Sequence, residues 1–381
     1  AGNDSIAGGS GADRLTGGGR GDTLTGGSGS DQFVVDSDDS AGTYKDTVTD
    51  FVAGTDEIVI QLANTGAQTI TLTDRGDAAS AAEGLGLLGS VIGDYFFNDG
   101  TASFTMDTDG NGLIQATDTV IALTGNTAFA AADLAVEITV SGTGNAVITT
   151  GSANDTITFG DESYLTNADT VDGGAGTDTF AITGNADGSV TLDTDVVNIE
   201  KIAITTSTNV DYDLTLNDAN FVSVTGATIT HSTSGTGFLT VDASAEDDST
   251  FDITGTGAGD VITAGDLADT VDGGAGADTI TGGTGNDSLT GGTGADIFII
   301  ANATDGVDRF ADFDWGGSAD TLTLTLGATI ADAVGNAGAV NIGVDAGDVA
   351  VATLAADTAV GGAVTGELEV FATGGADSLV S

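Results

Sequence analysis

Between residues 255 and 299 the sequence runs GTGAGDVIT AGDLADTVD GGAGADTIT GGTGNDSLT GGTGADIFI, five nine-residue blocks in unbroken register that begin at Gly255, Ala264, Gly273, Gly282 and Gly291. Glycine dominates the first four positions, aspartate holds the sixth and a large apolar residue the eighth, flanked by mostly polar neighbours. Each position has a physical task. Early glycines allow positive φ and close backbone approach, so carbonyl oxygens turn toward a common point where the aspartate adds a carboxylate. The result is an oxygen cage suited to a hard cation. The flanked apolar residue is the pattern of a short strand with one side chain turned inward, as with Ile262, Val271, Ile280 and Leu289.

Outward from this stretch the period recurs twice. A first run has blocks at Gly8, Gly17 and Gly26, preceded by the tail of an earlier block in residues 1–7. A degraded middle run has blocks at Ser141 and Thr150, an interruption at residues 159–163, and blocks at Tyr164 and Gly173. The last block of each run carries phenylalanine at position eight (Phe33, Phe180, Phe298), read as a wider plug where the roll ends.

These blocks resemble the RTX family, whose glycine–aspartate nonapeptides form calcium-bound parallel β-rolls in proteins exported by type I secretion. The resemblance implies calcium as the cofactor, with the sixth-position carboxylates as ligands: Asp4, Asp13, Asp22, Asp31, Asp155, Asp169, Asp178, Asp260, Asp269, Asp278, Asp287 and Asp296. It implies further ligands in the glycine turns, at Gly8, Gly11, Gly17, Gly26, Gly29, Gly173, Gly176, Gly255, Gly273, Gly276, Gly282, Gly285, Gly291 and Gly294. Ala146 replaces one aspartate, and Arg20, Asn167 and Leu267 stand where the fourth-position glycine belongs, which points to weak or empty turns there.

Asp46-Thr47-Val48-Thr49-Asp50-Phe51 follows the first run and Asp308-Arg309-Phe310-Ala311-Asp312-Phe313 the last, each leading to a further glycine and strand-like residues. They read as copies of one closing module, resembling the segment that closes RTX rolls in secreted proteases; Asp50 and Asp312 are expected to cap the roll or act as second-tier ligands. Residues 76–93 are the best helix candidate, despite three internal glycines that each cost about 1 kcal/mol. Residues 107–118 place oxygens on Asp107, Asp109 and Asn111, glycine at position six and a carboxylate on Asp118, an EF-hand-like spacing for one more calcium, with an unliganded acidic turn as the other reading. Five short strands are expected between residues 196 and 254 (Ile199 to Thr205, Tyr212 to Leu216, Phe221 to Thr225, Phe238 to Val241, Phe251 to Thr254), spaced as in a parallel β-helix.

The expected fold class is all-β: parallel β-roll and β-helix segments joined by small mixed segments. Its divisions are a roll with closing strands at 1–62, a mixed segment with the EF-like loop at 63–140, a degraded roll plus β-helix at 141–254, a second roll with its closing segment at 255–326, and a β-rich stretch at 327–381.

Composition narrows the function. There are 58 acidic residues against 6 basic, a formal net charge of −52, so self-repulsion opposes compaction unless cations bind. With 40% hydrophobic residues a core is nonetheless within reach. The acidic surface repels nucleic acid and anionic lipid, and no apolar run approaches the length that spans a membrane. Cysteine and proline are absent and His231 is the single histidine, so thiol, zinc–cysteine and serine–histidine chemistries lack essential parts; His231 reads as structural, and an enzyme is not expected in this stretch. Arg20-Gly21-Asp22 and three Asn-Asp-Ser/Thr triplets imitate integrin and glycosylation motifs, but each falls inside a nonapeptide whose aspartate serves the turn.

The leading expectation is a calcium-dependent extracellular structural protein, a surface-layer or filament component at the bacterial cell surface, that folds on binding calcium and assembles head to tail with copies of itself. Val197-Asn198-Ile199-Glu200-Lys201-Ile202, which resembles a stretch of RTX-type surface-layer proteins, tips the reading that way. The alternative is the calcium-folding C-terminal RTX region of a type I-secreted enzyme or adhesin.

Overall fold

Strands of three or four residues are too short to persist alone, so a nonapeptide must stack on its neighbours to bury its one apolar side chain. The computed structural model describes residues 2–36, 45–64, 68–78, 92–98, 103–106, 119–123, 129–184, 188–206, 209–222, 224–232, 236–301, 307–313, 320–324, 350–352 and 368–371. Almost all of these lie in strands and tight turns. Among them the helical elements are two 3-10 turns of three residues, Ala131–Asp133 and Glu162–Tyr164.

The described chain divides into two units, one of residues 1–181 with 195–199, the other of residues 182–194 with 200–381. In the second unit successive nonapeptides alternate between two parallel sheets. Strands Val261–Thr263, Thr279–Thr281 and Ile297–Ile300 join one sheet, and Thr270–Asp272 and Ser288–Thr290 the other. The same position therefore recurs one full coil later: Ile262 pairs with Ile280 and Ile280 with Phe298, while Val271 pairs with Leu289 and Leu289 with Phe310. These side chains form the interior columns and are essentially inaccessible to solvent.

The longer coils that precede this roll belong to a parallel β-helix. Lys201–Thr205, Ala227–Ser232 and Phe251–Thr254 stack in one sheet, and Gly188–Thr191, Tyr212–Thr215 and Leu239–Asp242 in the other. Where a strand is expected over Phe221 to Thr225, residues 221, 222 and 225 are bends and residue 223 lies outside the described residues; the strand falls at Ala227–Ser232. Phe221 is drawn fully inside, edge-on to Phe251 at 5.2 Å, and the Val224 N–H goes to Ser249 Oγ at 2.9 Å rather than to a neighbouring strand.

In the first unit, Arg14–Thr16, Gln32–Asp36, Glu57–Asn64, Leu134–Val140 and Thr156–Phe159 stack in parallel, as do Ser5–Ser10, Thr23–Ser28 and Thr47–Val48. Two antiparallel pairings, Ile92–Asn98 with Ser103–Met106 and Ser103–Met106 with Thr119–Leu123, lie among the described residues of 63–140. The ends of the helix expected over 76–93 are strand: residues 76–78 belong to Thr69–Ala78 and residues 92–93 to Ile92–Asn98, parallel partners. Parallel pairing supplies those backbone groups with partners, which outweighs a helix preference already weakened by glycine. Residues 79–91 lie outside the described residues.

The phenylalanines that end the runs act as plugs. Phe33, Phe180 and Phe298 are fully buried. Phe33 meets Phe51 at 6.3 Å, Phe180 meets Phe159 at 5.3 Å, and Phe298 meets Phe310 and Phe313 at 4.9 and 5.7 Å, so rings from the closing segments cover the last apolar layer of the first and last runs.

Candidate metal centres

The turn from Gly273 to Asp278 contains the whole chemistry of the repeat. Gly274 and Gly276 have φ of +96° and +131°, which reverses the chain within four residues. Asp278 is completely buried. Its N–H donates to Asp296 Oδ1 at 2.9 Å, and its carbonyl accepts the Ile297 N–H at 2.7 Å. Its own Oδ1 accepts the Asp260 N–H at 2.7 Å. Its Oδ2 has no hydrogen-bond partner and faces the open side of Gly273, where an added Cβ would come within 2.6 Å of it. The turns Gly8 to Asp13 and Gly17 to Asp22 repeat this arrangement, with Oδ2 of Asp13 and Asp22 buried and unpartnered and 2.6 Å from a Cβ built on the first glycine.

A second kind of turn satisfies itself. Where positive-φ glycines are missing, the aspartate folds Oδ2 back onto a backbone N–H of its own block: Asp260 accepts from Thr256 at 2.5 Å, Asp269 from Gly265 at 3.0 Å, Asp155 from Gly151 at 3.1 Å and Asp169 from Thr166 at 2.6 Å. These are the blocks in which Thr256, Leu267, Ala153 or Asn167 occupies a glycine position. Arg20 behaves differently. It keeps the regular turn at φ +93°, a left-handed conformation that costs a non-glycine residue of order 1–3 kcal/mol.

Oδ1 does the same work in both kinds of turn. It accepts a backbone N–H from the coil before: in regular turns that of the aspartate eighteen residues earlier, as in Asp4 to Asp22, Asp13 to Asp31 and Asp269 to Asp287, and in self-satisfied turns that of another residue, as in Leu239 to Asp260 and Phe251 to Asp269. The ladders do not stop with the repeats. Asp22 and Asp31 donate to Asp46 and Asp56, at 2.8 and 3.0 Å, and Asp287 and Asp296 donate to Asp308 and Asp320, at 3.2 and 3.0 Å. Sequence reasoning gave these four carboxylates no role. Their signal was present: each is followed two residues later by an apolar residue (Val48, Ile58, Phe310, Leu322), the sixth-and-eighth spacing without its glycines. Asp50 and Asp312 cap the last glycine turn with both oxygens, Asp50 accepting from Gly26 and Gly27 at 2.9 and 2.8 Å, Asp312 from Gly291 and Gly292 at 2.9 and 2.7 Å.

A buried carboxylate oxygen with no donor costs roughly 1–3 kcal/mol, more when ionised, so the regular turns are incomplete by themselves. Burial pushes the Asp278 carboxyl up to about 6, against the pull of the Asp260 N–H, with the charges of Asp260 and Asp296 adding to the rise. Asp269 is pushed up to about 7 and Asp155 to about 6, in each case chiefly by burial. The donors are all oxygen, the cradle admits no side chain, and the free oxygen points into it. Calcium, which takes six to eight oxygen ligands, fits these residues.

The remaining candidates are placed as follows. Ala146 keeps the ladder by donating its N–H to Asp169 Oδ1 at 2.6 Å, although it offers no carboxylate to the coil before it. Asp107, Asp109, Asn111 and Asp118 of the EF-like loop lie outside the described residues. His231 is buried beside Tyr212, its Nε2 3.2 Å from Thr206 Oγ1, and burial lowers its pKa. Asp22 is 1% exposed, so the carboxylate of Arg20-Gly21-Asp22 is not displayed. Among the described residues no helix is long and apolar enough to cross a membrane.

Comparison with known families agrees with this chemistry. The RTX calcium-binding nonapeptide repeat matches in four copies, over residues 166–181 and 263–298. The peptidase M10 serralysin C-terminal domain matches residues 1–134. No match was found among curated proteins or among solved structures.

Proposed function

From the RTX calcium-binding nonapeptide repeats that the chain carries, we propose that it is the calcium-folding region of a type I-secreted extracellular protein. The observation that carries the proposal is the set of buried, unpartnered Oδ2 atoms on Asp13, Asp22 and Asp278, each in a glycine cradle that a cation would complete. The serralysin C-terminal match over residues 1–134 favours this reading over the surface-layer or filament component to which the sequence alone leaned.

Calcium, when bound, supplies positive charge to carboxylates that otherwise repel. Everything else falls to the chain. Asp13, Asp22 and Asp278 would hold the ion through Oδ2 with carbonyls of the glycine turns, while the Oδ1 atoms of Asp22 and Asp278 stay committed to the neighbouring coil. Ligation and coil stacking thus use different atoms of one side chain, and an unstacked turn has no pre-set cage. Folding and calcium uptake are one event, as in other sites whose ligands gather only in the native state. With a net charge of −52, the chain stays extended where calcium is scarce and compacts where extracellular modules are half-saturated, at about 10⁻⁴ to 10⁻³ M.

The stretch works without catalysis in this reading, its carboxylates being taken up by ladders and turns; hydrolysis of common proteins or polysaccharides by the isolated chain would refute that part. The EF-like loop is proposed to hold one further ion, which Asp109→Ala would remove. Self-assembly into a layer or filament is a separate proposal, checked by light scattering with and without millimolar calcium, and a strict monomer at high concentration removes it. The main proposal is tested by circular dichroism. Strand content should be lost in excess chelator and restored by millimolar calcium; equal content in the two conditions refutes it.

A further inference from the structure

Two turns of the second unit lie outside the nonapeptide pattern and yet meet. Residues 217–220 follow strand Tyr212–Thr215 and residues 243–249 follow Leu239–Asp242; the strands pair in parallel, Thr215 opposite Asp242, so the turns are neighbours on consecutive coils. The first turn is held by asparagines: Asn217 donates its N–H to Asn220 Oδ1 at 2.7 Å, and Ala219 donates to Asn217 Oδ1 at 3.2 Å. Asp218 is left pointing across to the second turn, where its Oδ1 lies 3.4 Å from the Asp247 N–H.

In the second turn Glu246 is drawn inward. Its N–H donates to Ala243 O at 3.0 Å, and its carbonyl accepts the Asp266 N–H of the next coil at 2.9 Å. Its side chain is 0% exposed, and neither Oε1 nor Oε2 has a hydrogen-bond partner. One carboxylate oxygen from each of Asp218, Glu246 and Asp248 lies within 4.8 Å of the other two. After burial, the influences on Glu246 are the charges of Asp218, Asp248 and Asp247, all negative, and together they push its carboxyl up to about 8.

An ionised, fully buried carboxylate without a donor costs several kcal/mol. The fold must answer it with a proton or a cation. Two oxygens on one calcium, each about 2.3–2.6 Å from it, can stand up to about 5 Å apart, which spans this cluster; a set of carboxylates without nitrogen or sulfur selects a hard ion. We propose that Asp218, Glu246 and Asp248 form a calcium site distinct from the nonapeptide turns, one that clamps consecutive coils of the β-helix just ahead of the five-block roll.

The location gives the site a purpose. The first two blocks of that roll, at Gly255 and Ala264, have self-satisfied turns in which Asp260 and Asp269 fold back on backbone N–H groups. Their demand for an ion is the weakest of the run. A three-carboxylate clamp beside them, tied to Asp266 through the Glu246 carbonyl, supplies calcium-dependent anchorage where the repeats supply least.

The test is an ion count on the full chain by native mass spectrometry in saturating calcium, paired with anomalous scattering from crystals soaked in a lanthanide. Asp218→Asn alters an exposed side chain, so the fold should survive and one ion should be lost, together with the lanthanide peak between the three carboxylates. Glu246→Gln imitates the protonated acid and should lose the same ion. An unchanged count in Asp218→Asn, or a wild-type crystal with lanthanide in the regular turns and none here, overturns the proposal. So does an unchanged count in Glu246→Gln with equal or higher thermal stability, since a proton then suffices for Glu246.

Discussion

Glycine positions that look alike in sequence should differ sharply in what alanine does to them. At Gly257 a Cβ would meet nothing within 4 Å and φ is not left-handed, so Gly257→Ala should be neutral or stabilise by about 0.4–1 kcal/mol through a less flexible unfolded chain. Gly226 has φ +71° and equally open space, so alanine there costs only the left-handed conformation, about 1–2 kcal/mol. Gly292 has φ +93°, and its Cβ would fall on the carbonyl oxygen of Gly274 in the coil beneath. Backbone cannot step aside as a side chain does. The turn must lift, breaking the charge-assisted bonds by which Asp312 holds the N–H groups of Gly291 and Gly292. At about 1.5–3 kcal/mol for each of the two bonds, added to a conformational term of about 1–2 kcal/mol, Gly292→Ala should cost about 4–8 kcal/mol. Hydrogen exchange of peptides covering residues 261–300, in saturating calcium, reports these costs as local opening free energies. If Gly292→Ala opens the roll no more than Gly226→Ala does, stacking of backbone on backbone is not what places glycine in this repeat.

Other outcomes follow from the two kinds of turn and from the ladders. Asp278→Asn should weaken calcium-dependent folding on the order of tenfold, because ligand charge tunes such sites; Asp260→Asn, whose Oδ2 is held by the Thr256 N–H, should shift the calcium midpoint far less, and equal shifts in a calcium titration would contradict the distinction. Asp46→Ala leaves the Asp22 N–H without its acceptor and should destabilise the first unit by roughly 1–3 kcal/mol in saturating calcium, measured by urea unfolding; no loss would mean that the ladder's end is ornamental. His231, buried with its pKa lowered, should titrate below 6.5 in the folded chain, so its contribution to stability is full above 6.5 and declines as pH falls through the lowered value; the single imidazole resonance reads this directly by NMR, and a midpoint at or above 6.5 would contradict the burial.

Much of the fold was legible because the repeat couples three periodicities: glycine for the turn, aspartate for the ladder and an apolar residue for the interior column. Ile280, Leu289 and Phe298 are buried where the eighth position puts them. Legibility fails where one of the three is missing. Asp46, Asp56, Asp308 and Asp320 keep aspartate and the apolar residue without the glycines, and their place in the ladder escaped notice although the spacing was intact. Phe221 looked like the start of a strand because it is aromatic and follows a polar turn, but a coil lacking the nine-residue register can spend an aromatic residue on filling its corner. Glu246 was invisible for a deeper reason. Its partner Asp218 lies on the preceding coil, and the separation of coils is irregular in the β-helix, so no local spacing announces that the two meet.

One carboxylate with two oxygens explains why this chain tolerates decay of its repeats. Because Oδ1 serves the ladder in regular and self-satisfied turns alike, stacking is preserved even in blocks that have lost their glycines, as Asp155 and Asp169 show by accepting from Val136 and Ala146 at 2.7 and 2.6 Å. What such blocks change is the fate of Oδ2, which turns from an unmet demand for a cation into an acceptor for the block's own backbone. In the proposed reading calcium dependence is therefore set turn by turn, by whether the second and fourth positions take the left-handed backbone that glycine, or Arg20 at a cost, provides, while the coils go on stacking. A chain built this way can place its obligatory calcium sites where folding must be conditional and fill the rest with turns that close on their own. In the proposed reading, the regular turns of Asp13 and Asp22 in the first unit and of Asp278 in the second, with Oδ2 buried and unanswered, are where folding would depend on the ion.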